Sequence, residues 1–393
     1  MKSFLLVIAS ITCAACSLLR GTVSVPYNTP STTHWRTANN QLVYKDQKFS
    51  LKGINWNGIE SDCHVPHGMW INPLSLYTEI LKTQDINAIR IPLSYEVMAD
   101  LTLQVKDDCV TAEPMYHGKN LTSQEFLGLF LDLLWKEGFF VVFDLHTIGG
   151  VITEYPWTDT VTEDMVIQAW ANFAKVFALH PAVMGLEIKN EVHGTCTLDV
   201  FLSHCTKVIQ TITASTNGLY QGLFFVGGVS NGNPTDTDAP WGGTMSTLSS
   251  SSLTGFQHPN ALCTLGIDDR LVLCPHVYGE SVRGSNADGE SWSIFEERFG
   301  FITEEPNHWN ASAIIPTEYG GYMEAGSSDL AYYERFADFM DKKNINAGGF
   351  WWTFPETSVD TGGLLVGSNW DYIDPAKAAF LRRFQPNPTL SWS

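Results

Sequence analysis

Two glutamates, Glu191 and Glu318, each follow directly on a short apolar segment, and the two segments lie far apart in the chain. Two carboxyl groups that face one another can cleave a glycosidic bond: one protonates the leaving oxygen, and the other attacks the sugar carbon or activates a water molecule. A separation of ~5 to 5.5 Å between the two groups gives retention through a covalent intermediate. The residue types therefore predict paired-carboxylate chemistry at these two positions.

Other polar and aromatic side chains follow further apolar segments in the same way. They are Arg90, Asp144 with His146, Asn190, His276 with Tyr278, and the pair Trp351 and Trp352. Taken singly they have ordinary structural interpretations, since a lone His146 is typical of a satisfied core histidine and a lone Arg90 of a buried ion-pair partner. Their shared position behind apolar segments favours a common rim, which is where barrel proteins hold their reacting groups.

The elements that must position these side chains alternate between apolar and helical stretches. Eight apolar segments recur, at 51–56, 88–92, 139–145, 183–189, 223–227, 271–276, 314–317 and 349–353. Helices are predicted at 73–83, 123–136, 163–179, 198–214 and 329–342. Apolar strands buried on both faces and separated by helices predict a parallel sheet covered by helices. The predicted fold class is α/β, a (β/α)8 TIM barrel, with an N-terminal β-hairpin at 34–51 that would plug the barrel floor.

The N-terminus is typical of a signal peptide over residues 1–20. Lys2 is followed by an apolar run to about Ala15, and small residues place cleavage between 15 and 24. The run is shorter than the ~20 residues of a membrane-spanning helix, so an uncleaved anchor is the less favoured alternative and no membrane association is expected after signal removal. The predicted order is then an N-terminal segment and hairpin at 21–50, a catalytic domain at 51–385 and a short tail at 386–393, in a secreted, extracellular protein.

Composition limits the class of partner. The formal net charge is −19 and the pI is near 4.8, so no positive field attracts nucleic acid. A neutral polysaccharide or oligosaccharide is compatible with this charge, and the 13 Trp residues suit sugar faces, which stack on flat rings. We expect no cofactor, no metal and a monomer.

The cysteines predict disulfides. Cys13 and Cys16 fall in the signal peptide, and the remaining ones are Cys63, Cys109, Cys196, Cys205, Cys263 and Cys274. An even set in an exported chain indicates disulfide bonds. Close spacing favours Cys196 with Cys205 and Cys263 with Cys274, which leaves Cys63 for Cys109, although six cysteines allow 15 connectivities. A metal site at Cys63, His64 and His67 is the alternative interpretation.

Two sequons could carry glycans. Asn120 and Asn310 each begin an Asn-X-Ser/Thr pattern, which is meaningful in a eukaryotic secreted protein.

The ordered motifs resemble glycoside hydrolase family 5, the large cellulase family of retaining (β/α)8 barrels, over roughly residues 51–385. The resemblance is carried by GINWNGIE at 53–60, NAIRIP at 87–92, DLH at 144–146, LEIKNEVHG at 186–194, PHVYG at 275–279, TEYGG at 317–321, FWWT at 350–353 and SVDTGGLL at 358–365. Several such motifs in one order form a specific signal.

The resemblance implies a role for each matching residue. Glu191 is the acid/base and Glu318 the nucleophile. Asn190 holds the sugar 2-hydroxyl and Tyr278 hydrogen-bonds the nucleophile, while Arg90 keeps Glu318 ionised. The remaining residues line the reacting subsite or stack beneath a glucose ring: His146, His276 and Trp352. A carboxylate beside Arg is expected to stay charged, and one in a less compensated pocket to keep its proton.

The substrate follows from the resemblance less directly. Val192, Leu145 and Tyr319 depart from the residues usual in the family at those positions. The segments at 67–70 and 240–243 are most similar to bacterial endoglucanases, which favours β-1,4-glucan. The same fold acting on β-1,3-glucan or β-mannan is one alternative, and a catalytically silent cell-wall carbohydrate-binding or elicitor protein is another. Further subsite platforms are expected among Trp56, Trp157, Trp241 and Trp370.

Overall fold

The computed structural model describes residues 35–230, 242–243, 265–283, 292–303 and 313–391. The predicted signal peptide at 1–20 and the residues Trp241, Cys263 and Asn310 lie outside the described residues.

Three short antiparallel strands begin the described chain: β1 (Trp35–Ala38), β2 (Gln41–Tyr44) and β3 (Gln47–Phe49). The turn between β1 and β2 has φ values of 51° at Asn39 and 60° at Asn40. Asparagine tolerates this left-handed conformation better than most residues and favours the two-residue turns of hairpins. The predicted N-terminal hairpin is therefore present, and β3 extends it to three strands.

A parallel sheet of ten short strands forms the centre of the molecule. Its strands are β4 (Gly53–Asn55), β5 (Ala88–Ser94), β6 (Phe140–Thr147), β7 (Val183–Glu187), β8 (Leu223–Val226), β9 (Leu271–Leu273), β10 (His276–Val277), β11 (Ala313–Ile314), β12 (Glu318–Tyr319) and β13 (Phe350–Trp351). Their spatial order is β10-β12-β13-β4-β5-β6-β7-β8-β9-β11. β9 and β10 are consecutive parts of one barrel strand, and β11 and β12 are parts of the next. Because β9 pairs with β11 and β10 with β12, the two ends of the sheet meet, and the predicted eight-stranded barrel is confirmed.

Two apolar cores result from the alternation of side chains along these strands. On β6, Val141 and Phe143 pack outward against the helices. Phe140 and Val142 point into the barrel, where they join Trp35 of β1 and the other apolar side chains of the N-terminal strands. The antiparallel strands thus close the barrel floor, as the sequence predicts.

The described helices cover the sheet. They are α1 (Leu74–Thr83), α2 (Tyr95–Ala99), α3 (Ser123–Glu137), α4 (Glu163–Phe177), α5 (Leu198–Ser215), α6 (Glu280–Arg283), α7 (Trp292–Arg298), α8 (Ser328–Lys342) and α9 (Pro375–Phe384). Short 3-10 helices lie at Asp107–Val110, Asp268–Arg270 and Gly300–Thr303, and a hairpin is formed by β14 (Leu365–Val366) and β15 (Tyr372–Ile373). Four of the long helices begin after a Thr or Ser whose hydroxyl accepts a backbone N–H of the first turn, and the caps are Thr122, Thr162, Thr197 and Ser327. None of the helices in the described ranges has the length and apolar character to cross a membrane.

Of the expected disulfides, the described residues contain the bond between Cys63 and Cys109, whose Cα atoms are 5.8 Å apart. It links the loop after β4 to the 3-10 helix at Asp107–Val110. With its sulfur in this bond, Cys63 is not a thiolate ligand, and the alternative of a metal site with His64 and His67 is wrong. Asn120 of the first sequon is exposed.

The predicted bond between Cys196 and Cys205 is wrong, because both cysteines are free and buried. Cys196 lies before the cap of α5, whereas Cys205 lies inside that helix, two turns beyond its first residue. Closeness in sequence therefore does not give the two side chains the relative orientation that a disulfide requires. The predicted partner of Cys274 falls outside the described residues, and Cys274 itself is buried in the core inside the barrel.

Replacing both Cys63 and Cys109 by serine is expected to lower the free energy of unfolding by ~2–4 kcal/mol. The bond joins residues 46 positions apart, so it reduces the conformational entropy of the unfolded chain, and this stabilisation is lost without it. Urea unfolding of the variant and the parent protein under non-reducing conditions measures the loss. An unchanged unfolding midpoint would contradict the expected contribution of this bond.

Candidate active site

The inward positions of the strands change from apolar to polar towards the carboxyl ends. On β6, the inward series Phe140 and Val142 continues with Asp144 and His146, which are both buried. The same alternation carries Arg90 on β5 and Glu187 on β7 into the barrel mouth. The mouth is therefore lined by charged side chains that rest on an apolar core.

Arg90 is the centre of this polar cluster and is fully buried. Its Nε and Nη2 donate to the two carboxylate oxygens of Glu187 at 2.8 and 2.9 Å. Nη1 donates to Glu318 Oε1 at 2.7 Å and to Asn55 Oδ1 at 2.9 Å. Nη2 also donates to Asn190 Oδ1 at 2.9 Å. One guanidinium therefore orients two carboxylates and two amides that come from the ends of three strands, β4, β7 and β12.

Glu318, the first residue of β12, is held at both oxygens. Arg90 Nη1 donates a hydrogen bond to Oε1, and the Tyr278 hydroxyl donates one to Oε2 at 2.5 Å. Glu318 is 3% exposed, so its carboxylate has little contact with water. The structure thus brings together Arg90, Tyr278 and Glu318, as the sequence predicts.

Glu191 lies opposite, next to His276. The Nδ1 atom of His276 is 3.0 Å from Glu191 Oε1 and 3.4 Å from Glu318 Oε2. One atom of each of these three side chains lies within 4.8 Å of the others. Glu191 has a φ of 46°, a left-handed conformation that is uncommon for a residue with a side chain and is found at functional sites.

Asn190 places a free donor beside this pair. Its Oδ1 accepts from Arg90, whereas its buried Nδ2 has no hydrogen-bond partner in the described part of the chain. A buried amide without a partner is costly unless a ligand supplies one. The side chain is thus prepared to donate to a bound hydroxyl group.

His146 and Trp352 form a stacked pair at the rim. Their rings are parallel within 1° with centroids 5.3 Å apart, and the Trp352–Thr353 peptide is cis. His146 Nδ1 is 2.9 Å from Asp144 Oδ2, which is in turn 3.2 Å from Arg90 Nη2. Trp352 is half-buried, so part of its ring remains available to a ligand.

Protonation in the site is governed by His276. Burial raises the pKa of Glu318, and the negative charge of Glu191 raises it further. Burial would also raise the pKa of Glu191, but the hydrogen bond and the charge of His276 outweigh it and lower this pKa. Although burial opposes its charge, Glu318 and the hydrogen bonds to Glu187 and Glu191 raise the pKa of His276 to about 10. These shifts favour the protonated form of His276 between the two carboxyl groups.

These directions differ from the expected division, in which Arg90 keeps Glu318 ionised and Glu191 keeps its proton. The physical reason is burial, which raises the pKa of Glu318 more than the charges of His276 and Arg90 lower it. Arg90 also contacts Glu187 and Asp144, so its charge is shared among three carboxylates.

We expect part of the free energy of unfolding to be lost as the pH rises from about 6.5 to about 10. The folded protein keeps a proton on His276 in this range, whereas the unfolded chain releases it, so stability present below pH 6.5 disappears through the folded pKa. Urea unfolding from pH 6 to 10, compared with His276→Gln, isolates this effect. The comparison is needed because burial lowers the pKa of Lys189 to about 8, which acts in the opposite direction. If the difference in the free energy of unfolding between the parent protein and His276→Gln does not decrease as the pH rises, His276 is not protonated in the folded protein.

Some supporting residues were not assigned a role from the sequence. Glu187 takes two hydrogen bonds from Arg90, and its pKa is lowered to about 2 although burial alone would raise it. Lys189 is buried and donates to the backbone oxygens of His146 and Asn190. The signal that indicates such residues is a charged side chain at an inward position of a buried strand, because it must be paired there.

The tryptophans predicted to stack against sugar rings differ in how deeply they are buried. Trp56 is fully buried and packs against Tyr77, Phe130 and Phe354, so it belongs to the core and is not a platform. Trp157 and Trp370 are half-buried, and Trp370 lies 6.0 Å from the exposed Trp70.

By distance alone Glu191, His276 and Glu318 could ligate a metal ion. A cation would then lie beside the Arg90 guanidinium, which is 2.7 Å from Glu318, and His276 would have to lose its proton. The donor set fits proton transfer between acids better than it fits a metal.

Comparisons with known proteins indicate the family of this chain. Residues 45–356 match the family model described as Cellulase (glycosyl hydrolase family 5). The chain is 27% identical over 346 residues to the major extracellular endoglucanase of Xanthomonas campestris pv. campestris, which covers 84% of this chain and 67% of that protein. It is 23% identical over 385 residues to an endoglucanase of Paenibacillus polymyxa, with coverage of 91% and 88%.

Among solved structures, an endocellulase variant from Pyrococcus horikoshii in complex with cellotetraose has the same fold, with a TM-score of 0.73 and 22% identity over 91% of this chain and 100% of that one. With most of its length matched by the family model and the predicted barrel in place, the chain belongs to glycosyl hydrolase family 5, the cellulase family, and is an O-glycosyl hydrolase.

Proposed function

We propose that the protein hydrolyses β-1,4-glucan with retention of configuration, with Glu318 as nucleophile and Glu191 as acid/base. The observation that carries this proposal is the closeness of the two carboxylates: one oxygen of each lies within 4.8 Å of the other and of His276. Retaining enzymes hold the two groups ~5–5.5 Å apart, whereas inverting enzymes leave ~6.5–9.5 Å for a water molecule.

In the first step, Glu191 gives a proton to the glycosidic oxygen while Glu318 attacks the anomeric carbon. The bond between this carbon and the leaving oxygen breaks, and an ester forms between Glu318 and the sugar. His276 Nδ1 lies 3.0 Å from Glu191 Oε1, and His276 passes its proton to Glu191 as the acid gives one to the glycosidic oxygen. Arg90 and Tyr278 hold the two oxygens of Glu318 and so aim its attack.

In the second step, Glu191 takes a proton from a water molecule, and the resulting hydroxide attacks the anomeric carbon. The proton then passes from Glu191 back to His276, which restores the resting site. The ester breaks and Glu318 leaves as a carboxylate, so that the two inversions give overall retention. The free Nδ2 donor of Asn190 would bind the sugar 2-hydroxyl, and the open part of the Trp352 ring would stack beneath the sugar.

The substrate is inferred from the relatives. Those reported above are named endoglucanases, and one structural neighbour holds cellotetraose. Hydrolysis of β-1,3-glucan or β-mannan requires other loop contacts around the same barrel mouth. A silent carbohydrate-binding protein would not need two buried carboxyl groups this close to each other and to His276.

Secretion belongs to the same proposal. The signal-peptide pattern at 1–20, the Cys63–Cys109 disulfide and a relative described as extracellular support an exported enzyme with one catalytic domain at 51–385. We also propose that it acts as a monomer.

A polymer panel tests the proposed function. Soluble β-1,4-glucan, β-1,3-glucan and β-mannan are incubated with the purified protein, and reducing ends are counted from acidic to neutral pH. We expect release from β-1,4-glucan, with a newly formed β-anomer at early times by proton NMR. Faster release of reducing ends from another polymer would show that β-1,4-glucan is not the preferred substrate. An α-anomer as the first product would exclude the retaining mechanism. Binding of the polymers without release of reducing ends would exclude catalysis.

A further inference from the structure

Two buried side chains of α8, Asp329 and Tyr333, contact the backbone of the segments that carry Tyr278 and Glu318. They are 2% and 0% exposed. They are four positions apart in the sequence, so they lie on the same face of the helix, one turn apart. Neither touches the carboxylates of Glu191 or Glu318 in any described contact. We call this pair the α8 clamp.

The Asp329 carboxylate links the two segments beyond the strand ends. Its Oδ1 accepts the backbone N–H of Ser281 at 3.0 Å, and its Oδ2 accepts the backbone N–H of Tyr322 at 2.8 Å. Ser281 lies three residues after Tyr278, and Tyr322 lies four residues after Glu318. One carboxylate therefore fixes the distance between these two loops, since hydrogen bonds to an ionised acceptor are strong.

The Tyr333 hydroxyl makes a second link closer to the reacting groups. Its oxygen accepts the backbone N–H of Gly320 at 2.9 Å and lies 2.8 Å from the carbonyl oxygen of Gly320 and 3.0 Å from that of Val277. Val277 directly precedes Tyr278, and Gly320 is two residues after Glu318. The two segments are thus tied on the near side by Tyr333 and on the far side by Asp329.

Two glycines make room for the clamp. A Cβ atom on Gly279 would lie 2.5 Å from Asp329 Oδ1, and one on Gly321 would lie 2.2 Å from Asp329 Oδ2. Both distances are too short for any side chain. Gly279 follows Tyr278 directly, so the chain beside the reacting groups is built to receive the carboxylate.

We propose that Asp329 and Tyr333 are positioning residues that keep the Tyr278 hydroxyl and the Glu318 carboxylate in contact during turnover. The inference rests on the proposed roles of Tyr278 and Glu318. The contact they hold is 2.5 Å long and joins two different barrel strands. A shift of ~1 Å between reacting groups can cost about 100-fold in rate, so a small relaxation of the two loops would be measurable.

The test is Tyr333→Phe, with Asp329→Asn as a second variant and Tyr220→Phe as a matched control. Tyr220 is also buried and its hydroxyl donates to the carbonyl oxygen of Leu223 at 2.8 Å, at the start of β8 and away from the barrel mouth. We expect Tyr333→Phe and Asp329→Asn to lower kcat by about 10- to 100-fold with KM changed less than about threefold. Tyr220→Phe should lose similar stability and keep its kcat.

Two further readouts separate positioning from general weakening. Because the hydrogen bond from Tyr278 favours the ionised form of Glu318, the acid limb of the kcat/KM profile should move to higher pH in Tyr333→Phe. If the clamp acts through Tyr278, adding Tyr333→Phe to Tyr278→Phe should cost less than about twofold more.

The proposal is overturned if Tyr333→Phe has the same kcat as Tyr220→Phe, or if the losses of Tyr333→Phe and Tyr278→Phe multiply in the double variant. Parental turnover in Tyr278→Phe alone would instead overturn the proposed role of Tyr278, so that failure of the mechanism is told apart from failure of the clamp.

Discussion

Replacing Glu318 by Gln is expected to lower kcat on β-1,4-glucan by at least about 10⁴-fold, the scale of losing the nucleophile in a covalent enzyme. The amide has almost the size of the carboxylate, but it carries no charge with which to attack the anomeric carbon. Arg90 keeps its bonds to Glu187 and Asn190, so the fold should persist. Turnover by reducing ends and folding by circular dichroism measure the two parts of this prediction.

Glu334→Gln is the matched control, because Glu334 lies on the exposed side of α8 and contacts only Arg383 among the described ion pairs, at 3.5 Å. It should retain parental turnover. If Glu318→Gln stays within about tenfold of the parent protein, Glu318 is removed from the mechanism.

Glu318→Ala offers a direct readout of the role. Azide can occupy the space left by the carboxylate. It then attacks the anomeric carbon of an aryl β-cellobioside from the side on which Glu318 stood, opposite the leaving group. The product should be the α-glycosyl azide, inverted relative to the substrate. A β-azide would mean that another residue still forms the covalent intermediate.

Replacing Glu191 by Ala is expected to lower kcat by about 10²–10⁴-fold on β-1,4-glucan, the usual contribution of a general acid and base. With an aryl β-cellobioside, the rate of the first step should fall less than it does with β-1,4-glucan, because a good leaving group departs without a proton from the acid. Hydrolysis of the ester should then limit the rate, and a burst of aryl alcohol measured by stopped flow should precede slow turnover.

Azide should restore turnover in this variant and give the β-glycosyl azide, because it attacks the ester left on the intact Glu318. Opposite products from the two alanine variants separate nucleophile from acid/base. Equal products would reject the assignment, and so would a Glu191→Ala variant that shows the same loss for both leaving groups.

Most of the fold could be predicted from local patterns. Each apolar segment of the barrel is a short run buried on both faces. The segments predicted at 88–92 and 183–189 begin at the first residues of β5 and β7 and end within two residues of their last ones. The hairpin turn at Asn39 and Asn40 was also visible, because these residues tolerate a positive φ. The interruptions that split the sixth and seventh barrel strands were not predicted, since backbone pairing there depends on neighbours distant in the chain.

The cysteine pairing failed for a related reason. Spacing in the sequence favours a bond between Cys196 and Cys205, but one precedes the helix that begins at Leu198, the other lies inside it, and both are free. The prediction for Trp56 is wrong for the same reason. Its sequence motif is compatible with a sugar-stacking tryptophan, but its side chain is fully buried in the core.

The sequence by itself determined which side chains reach the barrel mouth: side chains alternate along a strand and parallel strands share one carboxyl end, so Arg90, Glu191, His276 and Glu318 had to meet there. Only the tertiary structure decided how they share charge. Arg90 is divided among three carboxylates, His276 lies 3.0 Å from Glu191 and 3.4 Å from Glu318, and α8 ties the Tyr278 and Glu318 segments together. Electrostatic interactions in a buried site depend on distances of a few ångströms between groups that are far apart in the chain, and no local pattern encodes those distances.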